Sequence, residues 1–174
     1  IDAINQNYNS YTPVDGYLEL KEAICKKFHR DNKIIYNPNQ IVVSTGAKQS
    51  IANVVQALIK PGEEVILLAP FWVSYSAIVL MADGIPKILK SDISNDFKVS
   101  AKQIDDAISE KTKMIIINSP NNPSGSIYNK KELYELASVV KKYPNIFVLS
   151  DEIYEHINYG TEHVRFASIE GMYD

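Results

Sequence analysis

Four short stretches of this 174-residue chain carry residue types whose order could do chemistry on a ligand. The sharpest is Ser150-Asp151-Glu152-Ile153-Tyr154-Glu155, where a carboxylate closes the apolar run from Ile146 to Leu149 and a tyrosine follows three residues later. A carboxylate at the end of a buried strand needs a partner. With no cluster of His and Cys at metal-ligand spacing beside it, a protonated heterocycle nitrogen is a suitable one. The bland alternative is that Asp151 caps the next turn, with Glu152 and Glu155 solvated.

The second stretch, Asn118-Ser119-Pro120-Asn121-Asn122-Pro123-Ser124-Gly125, packs two prolines and three asparagines into eight positions. Proline restricts its own φ and holds the preceding residue extended, so Asn122 is expected to aim its amide in one direction. A rigid surface loop is the competing reading. The third, Ala69-Pro70-Phe71-Trp72, places the single tryptophan where its flat face could stack on an aromatic ring, unless it serves ordinary packing. The fourth, Thr45-Gly46-Ala47-Lys48, runs into a helix whose first backbone N–H groups could hold a phosphate, or could simply be capped.

These stretches share a position: each should follow a strand. Short β-branched runs at Ile41–Ser44, Val65–Ala69, Ile85–Leu89, Met114–Asn118 and Ile146–Ser150 are the strand expectations. Between them lie helical patterns at Ala47–Ile59, Val73–Ala82, Ala101–Ser109 and Lys130–Lys142. The last two of these open on capping boxes, Ser100 with Gln103 and Asn129 with Glu132. An earlier helix over Tyr17–Arg30 is expected from Leu20, Ile24 and Phe28, with Glu19 and Glu22 early and Lys26, Lys27 and Arg30 late. Residues 1–16, rich in Tyr, Pro and Gly, read as a turn-laden connecting segment ahead of one domain over 17–174. Alternation of strands and helices predicts an α/β fold, a mostly parallel sheet with helices on both faces. In such sheets ligands bind beyond the carboxyl ends of the strands, where all four stretches fall.

Composition narrows the function. A net charge of -3, from 18 basic and 21 acidic residues without long like-charge blocks, gives no electrostatic footprint for nucleic acid. No apolar run is long enough for a membrane span, and the single Cys25 cannot form an internal disulfide, so a cytoplasmic setting is expected. His29, His156 and His163 lack metal-ligand spacing and read as surface or packing residues, so no metal is expected. The chain opens at Ile1 without an initiator Met and stops at Asp174 just inside what reads as a new segment, and is expected to be a piece of something larger.

Together with Tyr11-Thr12-Pro13-Val14-Asp15-Gly16 and Pro61-Gly62-Glu63-Glu64-Val65, these stretches resemble the fold-type I pyridoxal-phosphate enzymes. Within them, the class I/II aminotransferases of the bacterial aspartate aminotransferase type match best, over nearly the whole chain. The resemblance implies pyridoxal 5'-phosphate as cofactor and 17–174 as part of the large, cofactor-binding domain. It implies Gly46, Ala47 and Lys48 at the phosphate, and Trp72 stacked on the pyridine ring and near the substrate carboxylate. Asn122 would bond the ring's phenolic oxygen and help orient the substrate, Asp151 would pair with the pyridinium nitrogen, and Tyr154 would donate to the phenolic oxygen. Asp151 and Tyr154 are the catalytic residues on this reading, and Lys48 a further contact to an acidic substrate. Tyr11 matches a tyrosine that reaches the cofactor phosphate of a neighbouring subunit, which implies a homodimer.

The resemblance also marks what these residues do not supply. The lysine that holds the cofactor covalently, in a Ser-Lys segment, and the arginine that binds the substrate α-carboxylate belong further on in the family, and an N-terminal glycine-bearing segment belongs before Ile1. The implied activity is transfer of an amino group from an amino acid, expected to be aspartate, to a 2-oxo acid, expected to be 2-oxoglutarate. This chain alone is expected to be inactive. The alternatives are a pyridoxal-phosphate-dependent lyase or decarboxylase of the same fold, and a ligand-sensing domain of a transcription regulator.

Overall fold

A computed structural model describes residues 1–160 and 162–173. The chain divides into two compact units, Ile1–Gly46 and Ala47–Asp174.

In the first unit a one-turn helix α1 (Asp2–Asn5), with no buried residue, lies inside the segment expected to be all turns. Helix α2 (Leu18–Asn32) forms where the charge pattern placed it, with Glu19 in its first turn, His29 and Arg30 in its last, and Lys33 closing it in the left-handed conformation at φ 60°. Its expected apolar stripe is only partly inside: Leu20 is 45 % exposed, whereas Lys21 is buried and ion-paired with Asp15. Beside that pair, Gly16 (φ +100°) lies so close to Val43 that a Cβ would sit 2.6 Å from its Cγ2, a position that only glycine fills.

The strand expected at Ile41–Ser44 does not form. A strand needs a ladder. Here Val43 N–H bonds the Asp15 carbonyl at 3.1 Å and Ile41 N–H bonds the Pro38 carbonyl, so the segment is tied down by a loop and a turn and pairs with no strand among the described residues.

The second unit holds the remaining four expected strands as β1 (Glu64–Ala69), β2 (Ile85–Lys90), β3 (Thr112–Asn118) and β4 (Phe147–Asp151), with helices α3 (Ala47–Leu58), α4 (Ser74–Met81), α5 (Ala101–Ala107) and α6 (Lys130–Val140). All pairings are parallel, in the order β2-β1-β3-β4. Alternate side chains of the central strands feed two cores. Val65, Leu67, Met114 and Ile116 pack with Ile51 and Val55 of α3 and with Tyr75, Ile78 and Val79 of α4. Ile66, Leu68, Ile115 and Ile117 pack with Ile104 of α5 and with Leu133, Leu136 and Val140 of α6. Burial on both faces is why these strands read as continuous apolar runs, each such side chain contributing about 1.5–3 kcal/mol.

Both capping boxes form. Gln103 and Ser100 exchange bonds at 3.0 and 3.3 Å, Glu132 and Asn129 at 2.7 and 3.0 Å. Such a cap is worth about 1 kcal/mol. At the opposite end of the sheet, Glu64 accepts from Ser109 (2.7 Å), Lys87 (3.0 Å) and Thr112 (3.2 Å). The Ser109 and Lys87 bonds are the main reason its carboxyl is held below the usual carboxylate range.

The strand order locates the ligand crevice. The connection through α4 steps from β1 outward to β2, and the next, through α5, passes back over β1 to reach β3. The direction of winding therefore reverses between β1 and β3, and the helices change face with it. Pro70 follows β1 and Asn118 ends β3 on the two sides of that reversal.

Candidate functional site

The loop after β3 is fastened at both ends by its own asparagines. Asn121 Nδ2 donates to the Pro70 carbonyl (3.1 Å) across the crevice, and its Oδ1 accepts from Ser124 N–H (3.1 Å) and Oγ–H (2.8 Å). Asn118, 6 % exposed, donates to the Asp151 carbonyl (3.0 Å) and accepts from Asn122 N–H (2.7 Å). Behind the loop, Ser119 Oγ accepts from Tyr128 N–H (3.0 Å), and the buried Tyr128 phenol, pushed up to about 12 by burial, bridges to the Val99 backbone. With its neighbours doing the fastening, the Asn122 side-chain amide bonds no other described residue and lines a cleft of about 480 Å³ together with Tyr154, Pro120 and Tyr159.

The Asp151 carboxylate caps the next turn and meets a buried phenol. Oδ1 accepts from Ile153 N–H (3.1 Å), capping the next turn, and Oδ2 accepts from the Tyr75 hydroxyl (2.6 Å). A carboxylate has about four lone-pair positions, so further acceptor capacity remains for a ligand. Burial, then the bond to Asp151, raises the Tyr75 phenol well above its ordinary value and keeps it a donor.

Trp72, half-buried just ahead of α4, meets Tyr75 edge-to-face at 5.5 Å between ring centres. On Trp72 lies Lys48, exposed on the first turn of α3, its Nζ 5.0 Å from the ring centre. Lys48, Trp72, Tyr75, Asp151, Asn118 and Asn122 thus form one continuous series of contacts, with Tyr154 sharing the Asn122 cleft. Ala47 starts α3, whose first N–H groups have no acceptor inside the helix, and Gly46 before it has φ +87° with open space where a Cβ would stand. Tyr11 belongs to the first unit and is fully exposed.

Tyr75, Asn118 and Asn121 were not singled out from sequence as individual residues. Tyr75 stands three positions after Trp72, one helical turn on, and a helix starting at 74 brings both to one side. Also unforeseen is the knot behind Asp151. Glu152, expected at most to be solvated, accepts from Ser150 Oγ (2.8 Å), Phe166 N–H (3.0 Å) and Arg165 Nη1 (3.1 Å), with His163 Nε2 at 3.2 Å. Arg165 also pairs with Glu155. Glu152, Glu155 and His163 are close enough to suggest a metal site, but the Arg165 guanidinium already neutralises both carboxylates.

The donor set fits a flat, anionic heteroaromatic ligand. It offers a helix start for a phosphate, an indole face for a ring, an amide and a phenol for a ring oxygen, and a carboxylate for a ring nitrogen. Fold and site thus define a doubly wound α/β domain with aromatic, amide and carboxylate groups gathered beyond the carboxyl ends of its strands.

The family model for aminotransferase class I and II matches residues 1–172, and the chain belongs to that family, whose members bind pyridoxal 5'-phosphate. Among its relatives, a bifunctional aspartate aminotransferase and glutamate/aspartate-prephenate aminotransferase of Petunia hybrida is 45 % identical over 175 residues, 100 % of this chain and 36 % of its own length. The crystal structure of the aspartate aminotransferase from Rhizobium meliloti matches with a TM-score of 0.94 at 40 % identity, over 97 % of this chain and 42 % of that one. The Thermus thermophilus aspartate aminotransferase with maleate matches with a TM-score of 0.93 at 37 % identity, over 97 % and 44 %. The chain therefore spans about two fifths of the length of the proteins it matches.

Proposed function

We propose that the whole protein is a pyridoxal-phosphate-dependent aminotransferase that moves the amino group of aspartate to 2-oxoglutarate. The observation that carries this reading is the placement of Asp151. It ends β4 beside the last residue of β3, with its Oδ2 held by Tyr75 and its carbonyl by Asn118, whose Oδ1 in turn accepts from Asn122 N–H.

When bound, pyridoxal phosphate supplies an electron sink for the charge left when a substrate carbon loses its proton. The chain's own residues make that sink usable. The first N–H groups of α3, from Ala47 and Lys48 with Gly46 before them, hold the phosphate. Trp72 covers one ring face and excludes water from it. Asp151 would pair with the ring nitrogen and help keep a proton there. Asn122 donates its side-chain amide to the phenolic ring oxygen, and Tyr154 donates its hydroxyl to the same oxygen. Lys48 faces the distal carboxylate of a dicarboxylic substrate. The Thermus aspartate aminotransferase is paired with maleate, itself a dicarboxylate, which supports that class of substrate here. The covalent lysine lies outside these residues on this reading.

A fully exposed Tyr11, with Val14 as exposed beside it, supports a homodimer in which this segment reaches a neighbour. Among the described residues no helix is long and apolar enough to cross a membrane, and Cys25 is free, which supports a cytoplasmic setting.

The test is direct. Full-length protein loaded with pyridoxal phosphate should convert aspartate and 2-oxoglutarate to oxaloacetate and glutamate, followed by a coupled dehydrogenase assay. Prephenate should be tried as a second acceptor, because the Petunia relative bears it in its name. Release of carbon dioxide or ammonia without an acceptor would replace this reading with a lyase or decarboxylase.

A further inference from the structure

Asn122 follows β3 and Asp151 ends β4, yet the roles proposed for them put both on one ligand ring. Parallel pairing fixes their separation only as far as the register Asn118↔Asp151, where the ladder between β3 and β4 ends. Beyond that point the chain from β3 turns into the asparagine loop and the chain from β4 turns toward Tyr154, and the last backbone tie between them is Ser119 N–H to the Asp151 carbonyl at 3.2 Å, which leaves Asn122 unreached. One side chain spans the gap. Asn118 Nδ2 donates to the Asp151 carbonyl at 3.0 Å while its Oδ1 accepts from Asn122 N–H at 2.7 Å.

The chemistry of the bridge is selective. It needs a donor and an acceptor close together on one small planar group at the length of a single methylene, which the asparagine amide offers. Aspartate lacks the donor, serine is too short, and glutamine is one carbon too long. Neither bond goes to the apolar cores, since both end on the backbone of a residue proposed to touch the ligand. Asn118 is 6 % exposed, so water does not compete for these bonds, and each is worth more than a surface contact.

We infer that Asn118 is a positioning residue that couples Asn122 to Asp151, setting the two as one rigid pair. The inference rests on the cofactor roles proposed for those residues. It makes the first asparagine of the loop responsible for geometry and the third for contact, with Asn121 anchoring the loop to Pro70 on the other side.

The experiment uses full-length protein with Asn118→Ala and Asn118→Asp. Amide hydrogen exchange without cofactor reads the clamp itself. Asn118→Ala should lose about tenfold of the protection at Asn122 N–H, while Asn118→Asp, which keeps the acceptor, should retain it. Fluorescence quenching of Trp72 reads cofactor affinity, and the pH midpoint of the bound cofactor's absorbance reads ring contacts. Both variants should bind pyridoxal phosphate roughly tenfold more weakly and move that midpoint. Asn118→Asp remains informative if the alanine variant folds poorly. Unchanged exchange at Asn122 in Asn118→Ala would overturn the inference, as would lost protection with cofactor affinity and midpoint both at their wild-type values. Wild-type protein that does not bind pyridoxal phosphate would instead defeat the functional reading, and the exchange data would still decide whether Asn118 clamps the pair.

Discussion

The Tyr75 hydroxyl donates a 2.6 Å hydrogen bond to Oδ2 of Asp151, joining the first turn of α4 to the last residue of β4 across 76 positions of sequence. Tyr75 is 1 % exposed, and its ring also packs edge-on against Trp72. One buried side chain therefore supports both the carboxylate proposed for the ring nitrogen and the indole proposed for the ring face.

Tyr75→Phe keeps the packed ring and removes the donor. Denaturant unfolding of the full-length protein should show a loss of about 1–2 kcal/mol, and transamination should fall several-fold. A variant identical to wild type in both would show that Asp151 is held by other groups.

Asp151→Ala should preserve the fold and cut transamination by roughly 10²–10³, because the ring nitrogen would lose the charge that keeps it protonated. Asp151→Asn keeps the shape without the charge and should show nearly the same loss. Turnover near the wild-type rate in either would sink the role given to Asp151.

Lys48 reaches out from α3 with its ammonium over Trp72. Lys48→Ala should reduce kcat/KM for aspartate about tenfold, and for an apolar amino acid far less, since only the dicarboxylic substrate offers a second charge. Equal losses for the two substrates would remove the specificity role and leave Lys48 as a support for Trp72.

Glu64 provides a pH test away from the site. Its folded-state carboxyl is lowered by Ser109 and Lys87, so its contribution to stability is fully present above the ordinary value of 4.5 and is lost as pH falls through the lowered value. Glu64→Gln should therefore be less stable than wild type at pH 7 and converge with it in acid. A gap of constant size across that window would mean that hydrogen bonding by the neutral side chain, not ionisation, is what matters.

The 174-residue chain by itself should bind pyridoxal phosphate weakly and reversibly, since none of its lysines stands in the family's Ser-Lys segment. Borohydride reduction with cofactor followed by peptide mapping should give no stoichiometric label. One fully labelled lysine within residues 1–174 would require the site roles to be rebuilt.

The four strands and the main helices of the second unit were legible in the sequence because their cause is local. Apolar runs such as Val65–Leu68 and Met114–Ile117, punctuated by Pro61-Gly62 and by the Ser100 and Asn129 capping boxes, fix element type within a few residues. The junction stretches that hold Trp72, Asn122, Asp151 and Tyr154 were legible for the same reason, since a strand end is visible wherever an apolar run stops. What the chain could not reveal by spacing is anything that depends on a partner far away in sequence. Ile41–Ser44 has the composition of a strand and is not one, since among the described residues no neighbour offers it a ladder. Tyr75 had no individual role until Asp151 was brought to it, nor had Arg165 until Glu152 and Glu155 were. The bridge from Asn118 to Asp151 and Asn122 likewise exists only because β3 and β4 are paired in one particular register. Hydrogen bonds and ion pairs need ångström-scale coincidence of groups from separate elements, and only the folded chain sets that.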